Sequence, residues 1–306
     1  MGRLAMDWYS DIRGKVRRGV ALKSCTTFGI GGRADFFIEP ADTADLKLLL
    51  NLAKRAKIPF FIIGAGSNLL VSDKGVRGIV LRLGAPFFTR VSLRGNIIHA
   101  GSGVLLSRLL RFCSEKGLCG LEFLSGIPGT LGGALMMNAG IFEKGKGEER
   151  VARNISDAVL SLEVMDYRGR IKSIKKKDIR FGYRDSSLRG VIVLGARLRL
   201  IKDKKTEVKK RVKVYLQRRW QGQDLSARSA GCFFRNPPHD SAGRLIDLCG
   251  LKGRRIGGAA VSSGHANFIL NTGKASAKDV LRLACLIQGR VKRNFNITLR
   301  PEVKIW

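Results

Sequence analysis

Apolar positions along the chain alternate between two periods. Leu46, Leu49, Leu50 and Ala53 recur at helical spacing behind Asp42 or Thr43, either of which can cap the first turn. Pro59-Phe-Phe-Ile-Ile63 follows as an apolar run closed by glycine, the pattern of a buried strand. Further strands are predicted over 78–83, 96–100, 160–165 and 190–200, and a second amphipathic helix from Leu105, Leu109, Leu110 and Cys113. After the basic segment 201–211, Val208, Val212, Tyr215 and Leu216 set up a third helix. Strand patterns return over 255–261 and 267–270. The last helix has the clearest start: Ser276 caps it, Asp279 stands in for the glutamate of a capping box, and Val280, Ala284, Ile287 and Val291 form its apolar stripe. The mixture predicts an α+β or α/β first half, with a domain boundary at the basic segment. The division is 1–202, with a core from about 27, and 203–306.

Both periods fail between Gly117 and Gly140, which reads GLCGLEFLSGIPGTLGGALMMNAG. A solvated linker would be polar, and this stretch is nearly free of charge. A buried helix would avoid so many glycines, each costing about 1 kcal/mol against alanine in a helix interior. What remains is backbone that approaches something closely, with amides free to face it; phosphate is the usual guest. Two more glycine loops, Phe28-Gly-Ile-Gly-Gly32 and Gly64-Ala-Gly66-Ser-Asn68, offer the same chemistry. The second follows a strand but fails the dinucleotide fingerprint, because its third glycine position is Leu69 and no acidic residue follows in a clean βαβ unit. A tight turn is the plain reading of any one such loop. Three in one domain suit a long cofactor such as flavin adenine dinucleotide.

Composition changes this picture in three places. With 44% hydrophobic residues the chain has material for a core, and no apolar run reaches the roughly 18 residues of a membrane span. Residues 1–9 lack the apolar centre of a secretory signal, so reduced thiols in a cytoplasm are expected for the six cysteines, which form no CxxC pair. The three histidines have no ligand spacing, so no metal site is expected. The net charge of +33 raises nucleic acid as a partner, but no aromatic residues are interleaved for base stacking and no finger or RNA-recognition signature occurs. The charge suits phosphorylated substrates and exceeds what a small one needs.

Seven segments, in order, resemble the family of UDP-N-acetylenolpyruvoylglucosamine reductases. They are TFGIGGRA at 27–34, GAGSNLL at 64–70, GLEFLSGIPGT at 120–130 through MNAG at 137–140, FGYRDS at 181–186, SAGCFFRNP at 229–237, GRLID at 243–247 and LRPEV at 299–303. The resemblance implies a flavin-binding domain of the vanillyl-alcohol-oxidase or PCMH type plus a smaller α+β substrate domain. It implies non-covalent FAD, NADPH as hydride donor, and reduction of the enolpyruvyl ether of a UDP-sugar to a lactyl ether, for peptidoglycan precursors. It also implies a cytoplasmic enzyme, taken here as a monomer without membrane insertion. Only 47 residues separate Arg184 from Cys232, which matches the shorter type without an extra substrate-closing loop.

Hydride addition to the enolpyruvyl methylene builds negative charge on the adjacent carbon and its carboxylate, so the site needs a fixed cation, a hydrogen-bonding acid and a proton donor. The resemblance assigns these to Arg184, Glu302 and Cys232. Many relatives carry serine where this chain has Cys232; a thiol, with an ordinary pKa of about 8.5, is mostly protonated at neutral pH and a stronger acid than an alcohol. It assigns flavin contacts to Gly64, Ala65, Gly66, Ser67, Asn68, Leu69, Ser125, Gly126, Gly129, Thr130, Gly133 and Asn138. Substrate contacts fall on Arg235, where lysine is common, and on Asn236. Tyr183 stands open between packing on flavin or substrate and packing in the core. His265 stands open between a site role and an ordinary satisfied histidine. After Gly140 the charged segment 141–150 departs from the family's short turn and reads as a solvated insertion. Two competitors remain: another flavoenzyme of the same fold, against which the C-terminal motifs argue, and a basic nucleic-acid binder that has lost catalysis, against which Arg184, Cys232 and Glu302 argue.

Overall fold

The computed structural model describes residues 8–144, 150–223 and 227–306. The chain divides into two compact units, each gathered from separate segments. One comprises Met1–Arg18, Phe36–Gly64 and Gly78–Gln217; the other comprises Gly19–Asp35, Ala65–Arg77 and Arg218–Trp306.

The first unit is organised by a five-stranded antiparallel sheet in the order Ile171–Lys175, Val159–Asp166, Val191–Arg199, Ile97–Gly101, Val91–Arg94. A smaller sheet places Val76–Arg82 between Arg33–Glu39 and the parallel strand Phe60–Ile63, with Lys15–Ala21 at its edge. Helix α1, Thr43–Arg55, is capped by Asp42, whose carboxylate accepts from the Asp45 amide at 3.0 Å. Its buried face of Leu46, Leu49, Leu50 and Ala53 is the stripe read from the sequence. Helix α2, Leu106–Lys116, ends at Gly117, whose φ of +65° is the left-handed stop that glycine adopts freely. A third helix, α3 (Leu131–Met136), lies inside the glycine-rich stretch, where none was expected. The glycine argument fails here because Gly132 and Gly133 occupy the first turn, and at Gly132 the chain leaves little room for a side chain. A Cβ on Gly132 would lie 3.0 Å from that of Ser102. Ile98, Leu162, Val164 and Leu198 of the large sheet pack with Leu106, Leu109, Leu131 and Leu135 of α2 and α3 in one core. A second core in this unit gathers Leu46, Leu49, Leu50, Leu81, Phe88 and Ile192, and apolar surface removed from water contributes about 25 cal/mol per Å² in both. Residues 140–144 and 150–154 pair as an antiparallel hairpin; the rest of the 141–150 insertion lies outside the described residues. Helix α4, Lys205–Gly222, is the third helix of the sequence reading, and Val208 is its one buried side chain among the described residues.

The second unit packs Phe28, Leu70, Phe233, Phe234, Leu245, Val280, Ile287 and Val303 into its own core. Its helices are α5, Ala242–Leu248, which the sequence reading missed, and α6, Ala277–Phe295. The capping box at α6 is complete, with Ser276 and Asp279 each accepting from the other's amide. The strand expected over 255–261 is two, Arg255–Ile256 and Ala259–Val261, folded back at Gly257 with φ +52° and continued in the sheet by Ile269–Asn271. Near the C-terminus Lys304–Ile305 pairs in parallel with Leu69–Leu70.

Candidate active site

In the first unit the glycine-rich stretch wraps the start of α3. Thr130 caps the helix, its hydroxyl accepting from the Gly133 amide at 3.3 Å. Gly64 comes so near that a Cβ there would stand 2.5 Å from the Thr130 Oγ1. Ser125 is buried and its hydroxyl donates to the Glu122 carbonyl at 2.6 Å. Gly126, at φ +75°, and Gly133 are exposed, while Gly129 is half-buried. The amides at the helix start are not free, contrary to the sequence expectation. Leu131 donates to the Val104 carbonyl and Gly132 to the Ser102 carbonyl, each at 2.8 Å.

One buried polar atom lacks a partner among the described residues: the hydroxyl of Ser102, a residue 3% exposed beside Gly132. Such a group costs about 1–3 kcal/mol until something satisfies it. A phosphate oxygen would do so, so these residues fit a pyrophosphate-bearing cofactor. Ser102 is not among the flavin contacts expected from the sequence, although Gly101-Ser-Gly103 behind a strand carries the same signal as Gly64-Ala-Gly66.

Asn138, also buried, commits its carboxamide to protein at both ends. Its Nδ2 donates to the Gly182 carbonyl at 3.1 Å and its Oδ1 accepts from the Ser156 amide at 3.3 Å. Gly182 opens a two-rung hairpin, Phe181–Gly182 with Asp185–Ser186, whose tip is Tyr183-Arg184. Arg184 is half-buried and sits at φ +53°, a left-handed conformation that costs a bulky residue about 1–2 kcal/mol. Its guanidinium lies 5.5 Å from the centre of the Tyr183 ring, and that ring is 6.0 Å from Phe142. Asp185 pairs with Arg189 at 3.0 Å. Beneath the glycine stretch, the buried Glu122 accepts from Arg211 of α4 at 2.9 Å and from the Gly120 amide at 2.6 Å. Burial, reinforced by the Glu122 charge, pushes the Cys113 thiol up to about 12, so this cysteine is chemically inert at neutral pH.

In the second unit, Cys232 is half-buried in extended backbone bridged to Phe268. The next residue, Phe233, donates to the Asn267 carbonyl and accepts from the Glu302 amide, each at 2.8 Å. Cys232 and Glu302, far apart in sequence, are thus brought onto neighbouring strands. Asn68 pins the Glu302 strand: its Nδ2 donates to the Glu302 carbonyl at 3.3 Å and its own carbonyl accepts from Lys304 at 3.0 Å. Ser67 and Ala65 are half-buried, Leu69 is buried, and Gly66 at φ +66° abuts the Cys25 carbonyl. Arg235 donates its amide to the Arg300 carbonyl at 2.9 Å. Asn236 is exposed, and its Oδ1 accepts from the Ala242 amide at the start of α5 at 3.0 Å. His265 is half-buried against Phe268, its Nδ1 accepting from the Asn267 amide at 3.3 Å. Burial holds its pKa below the usual value, so the ring is neutral at pH 7. Arg184 therefore belongs to one unit, and Cys232, Glu302, Arg235, Asn236 and His265 to the other.

Residues 223–306 match the model of the UDP-N-acetylenolpyruvoylglucosamine reductase C-terminal domain, and residues 34–175 match an FAD binding domain. The reductase 2 of Symbiobacterium thermophilum is 41% identical over 96% of this chain and 92% of its own length. The chain belongs to the UDP-N-acetylenolpyruvoylglucosamine reductase family. The reductase of Caldanaerobacter subterraneus is likewise 41% identical, over 100% of this chain and 99% of its own. The crystal structure of the Thermus caldophilus reductase, MurB, matches with a TM-score of 0.79 at 39% identity, covering 96% of this chain and 99% of that one. An α+β chain with an FAD-binding domain and the reductase C-terminal domain accords with the fold expected from the sequence, and FAD is its cofactor. No helix among the described residues is long and apolar enough to cross a membrane.

Proposed function

We propose that this chain reduces the enolpyruvyl ether of UDP-N-acetylglucosamine enolpyruvate to UDP-N-acetylmuramate, with NADPH as reductant, as a monomer in the cytoplasm. Residues 1–202 serve the cofactor and 203–306 the sugar nucleotide. The Gly64–Leu69 loop and Ser125, Gly126, Gly129, Thr130 and Gly133 hold the FAD, with Ser102 added for its orphan hydroxyl. Bound FAD would supply the two-electron redox group between NADPH and the enolpyruvyl ether. The chain's own side chains manage the charge that results. Arg184 grips the substrate carboxylate in fork geometry, with a charge that is never lost. Glu302, as a neutral acid, donates a hydrogen bond to the growing enolate. Cys232 gives its proton to the carbon bearing the carboxylate, which completes addition of hydride and proton across the double bond. Arg235 and Asn236 bind the diphosphate side of the substrate, Asn236 through its amide nitrogen, since its oxygen accepts from the start of α5.

What supports this reading most is the hydrogen bond from the Glu302 amide to the Phe233 carbonyl, because it joins the main-chain segment that carries the acid to the one that carries the thiol. The experiment is NADPH oxidation by the purified yellow protein. Oxidation that requires the enolpyruvyl sugar nucleotide is expected. A colourless protein, or oxidation indifferent to that nucleotide, overturns the reading.

A further inference from the structure

We propose that α3 is the positioning element of Arg184, acting through Asn138 and Ser186. The inference rests on the reading of Arg184 as the cation that grips the substrate carboxylate.

The hairpin that carries Arg184 has two rungs, Phe181 with Ser186 and Gly182 with Asp185. An isolated hairpin of this size does not hold its shape in water. Its tip also holds a non-glycine residue at φ +53°, so the turn sits away from its own preference. Something outside the hairpin has to fix it.

The C-terminal end of α3 does so on both strands. The Asn138 Nδ2 donates to the Gly182 carbonyl at 3.1 Å, two residues before Arg184. The Ser186 Oγ donates to the Met136 carbonyl at 2.9 Å, two residues after it. Met136 is the last residue of the helix, so its carbonyl is one that the helix itself leaves unsatisfied. Asn138 cannot swing away. It is 5% exposed, its Oδ1 accepts from the Ser156 amide, and its backbone takes φ +42°, which asparagine tolerates better than most residues. At the base of the hairpin, the Ser187 amide donates to the Arg180 carbonyl at 2.9 Å and the Ser187 hydroxyl accepts from the Arg180 amide at 3.0 Å. The other end of α3 is Thr130, packed on Gly64 in the glycine-lined loop. A rigid helix of six residues, about 9 Å long, therefore ties the cofactor loop at one end to the arginine tip at the other. Small displacements between reacting groups cost large factors in rate, which is the use such a spacer has.

The test uses the full-length, flavin-loaded protein and separates the two half-reactions. Ser186→Ala removes one anchor and touches no residue assigned to flavin or substrate. It is expected to keep its flavin and its rate of reduction by NADPH. Reoxidation by the enolpyruvyl sugar nucleotide should slow by about tenfold or more. Ser186→Thr keeps the hydroxyl and is expected to restore that rate. Asn138→Asp replaces the donated bond with an acceptor facing the Gly182 carbonyl and should reproduce the slow reoxidation. Arg184→Ala combined with Ser186→Ala should be no slower than Arg184→Ala alone, because the anchor acts only through the arginine. Amide hydrogen exchange over 180–187, measured without substrate, should speed up in Ser186→Ala. Normal reoxidation in Ser186→Ala beside a defective Arg184→Ala overturns the positioning role alone, as do losses that multiply in the double variant. Wild-type reoxidation in Arg184→Ala overturns the reading of the arginine, and this proposal with it.

Discussion

The arginine region and the thiol–acid region are built by opposite means. Arg184 sits on a two-rung hairpin in a left-handed turn, tied to the end of α3 by the Asn138 side chain and by the hairpin's own Ser186 hydroxyl. Cys232 and Glu302 sit in extended backbone, held mainly by main-chain hydrogen bonds through Phe233, Asn267 and Arg235. Main-chain bonds survive most substitutions; side-chain anchors do not. The first region should therefore lose its geometry through changes at residues that touch no substrate, whereas the second should respond chiefly to changes in the reacting groups themselves.

The largest expected effect is chemical and falls in the second region. Cys232→Ala should slow reoxidation by the enolpyruvyl substrate by about 10²–10⁴-fold, the range for a lost proton donor, with reduction by NADPH nearly intact. Cys232→Ser should keep part of the rate. Stopped-flow flavin absorbance reads both steps, and unchanged reoxidation in the alanine variant removes the thiol from the mechanism.

Besides Asn68, a second side chain breaks the main-chain rule of that region. Asn267, 2% exposed, accepts from the Phe234 amide at 2.9 Å and donates to the Phe234 carbonyl at 2.8 Å, acting as a substitute strand. Asn267→Ala leaves both groups buried without partners and should destabilise the fold by about 3 kcal/mol in denaturant titration. A loss under 1 kcal/mol would mean that main-chain bonds alone carry the segment.

The arginine turn offers a smaller and sharper contrast. Arg184→Gly relieves the left-handed strain while Arg184→Ala keeps it, so the glycine variant should be the more stable of the two by about 1 kcal/mol. Both should reoxidise at least about 100-fold more slowly than the parent. Equal stability would show that the turn is unstrained.

A modest pH effect comes from His265. Burial keeps it neutral in the folded state, whereas the unfolded chain protonates it near 6.5. Below that value the unfolded state binds the extra proton, so stability declines as pH falls through 6.5. His265→Gln should shrink the drop in melting temperature between pH 7.5 and pH 5.5. An identical drop in both proteins contradicts it.

Much of this was legible in the sequence where periods are local. The α1 stripe, the α6 capping box and the strands around 160–165 and 190–200 stand close to where the pattern put them. What was not legible depended on partners distant in the chain. Helix α3 hid in a glycine run because its Gly132 answers to Ser102 across the fold. Asn138 and Asn68 were singled out for flavin, yet the side-chain amides of both are engaged with protein carbonyls, which no local pattern could reveal. The segments that carry Cys232 and Glu302 meet through two backbone bonds between remote parts of the sequence, Glu302 to Phe233 and Arg235 to Arg300. The turn at Gly257 was lost inside an apolar run that looked continuous.

The central claim is that Arg184 and Glu302 serve the same half-reaction. Single-turnover reoxidation of the reduced protein by the enolpyruvyl sugar nucleotide, measured for Arg184→Ala and for Glu302→Gln, tests it most directly. Both variants should reduce normally with NADPH and reoxidise at least about 100-fold more slowly than the parent. Reoxidation at the parent rate in either variant, or a defect confined to reduction, would contradict it.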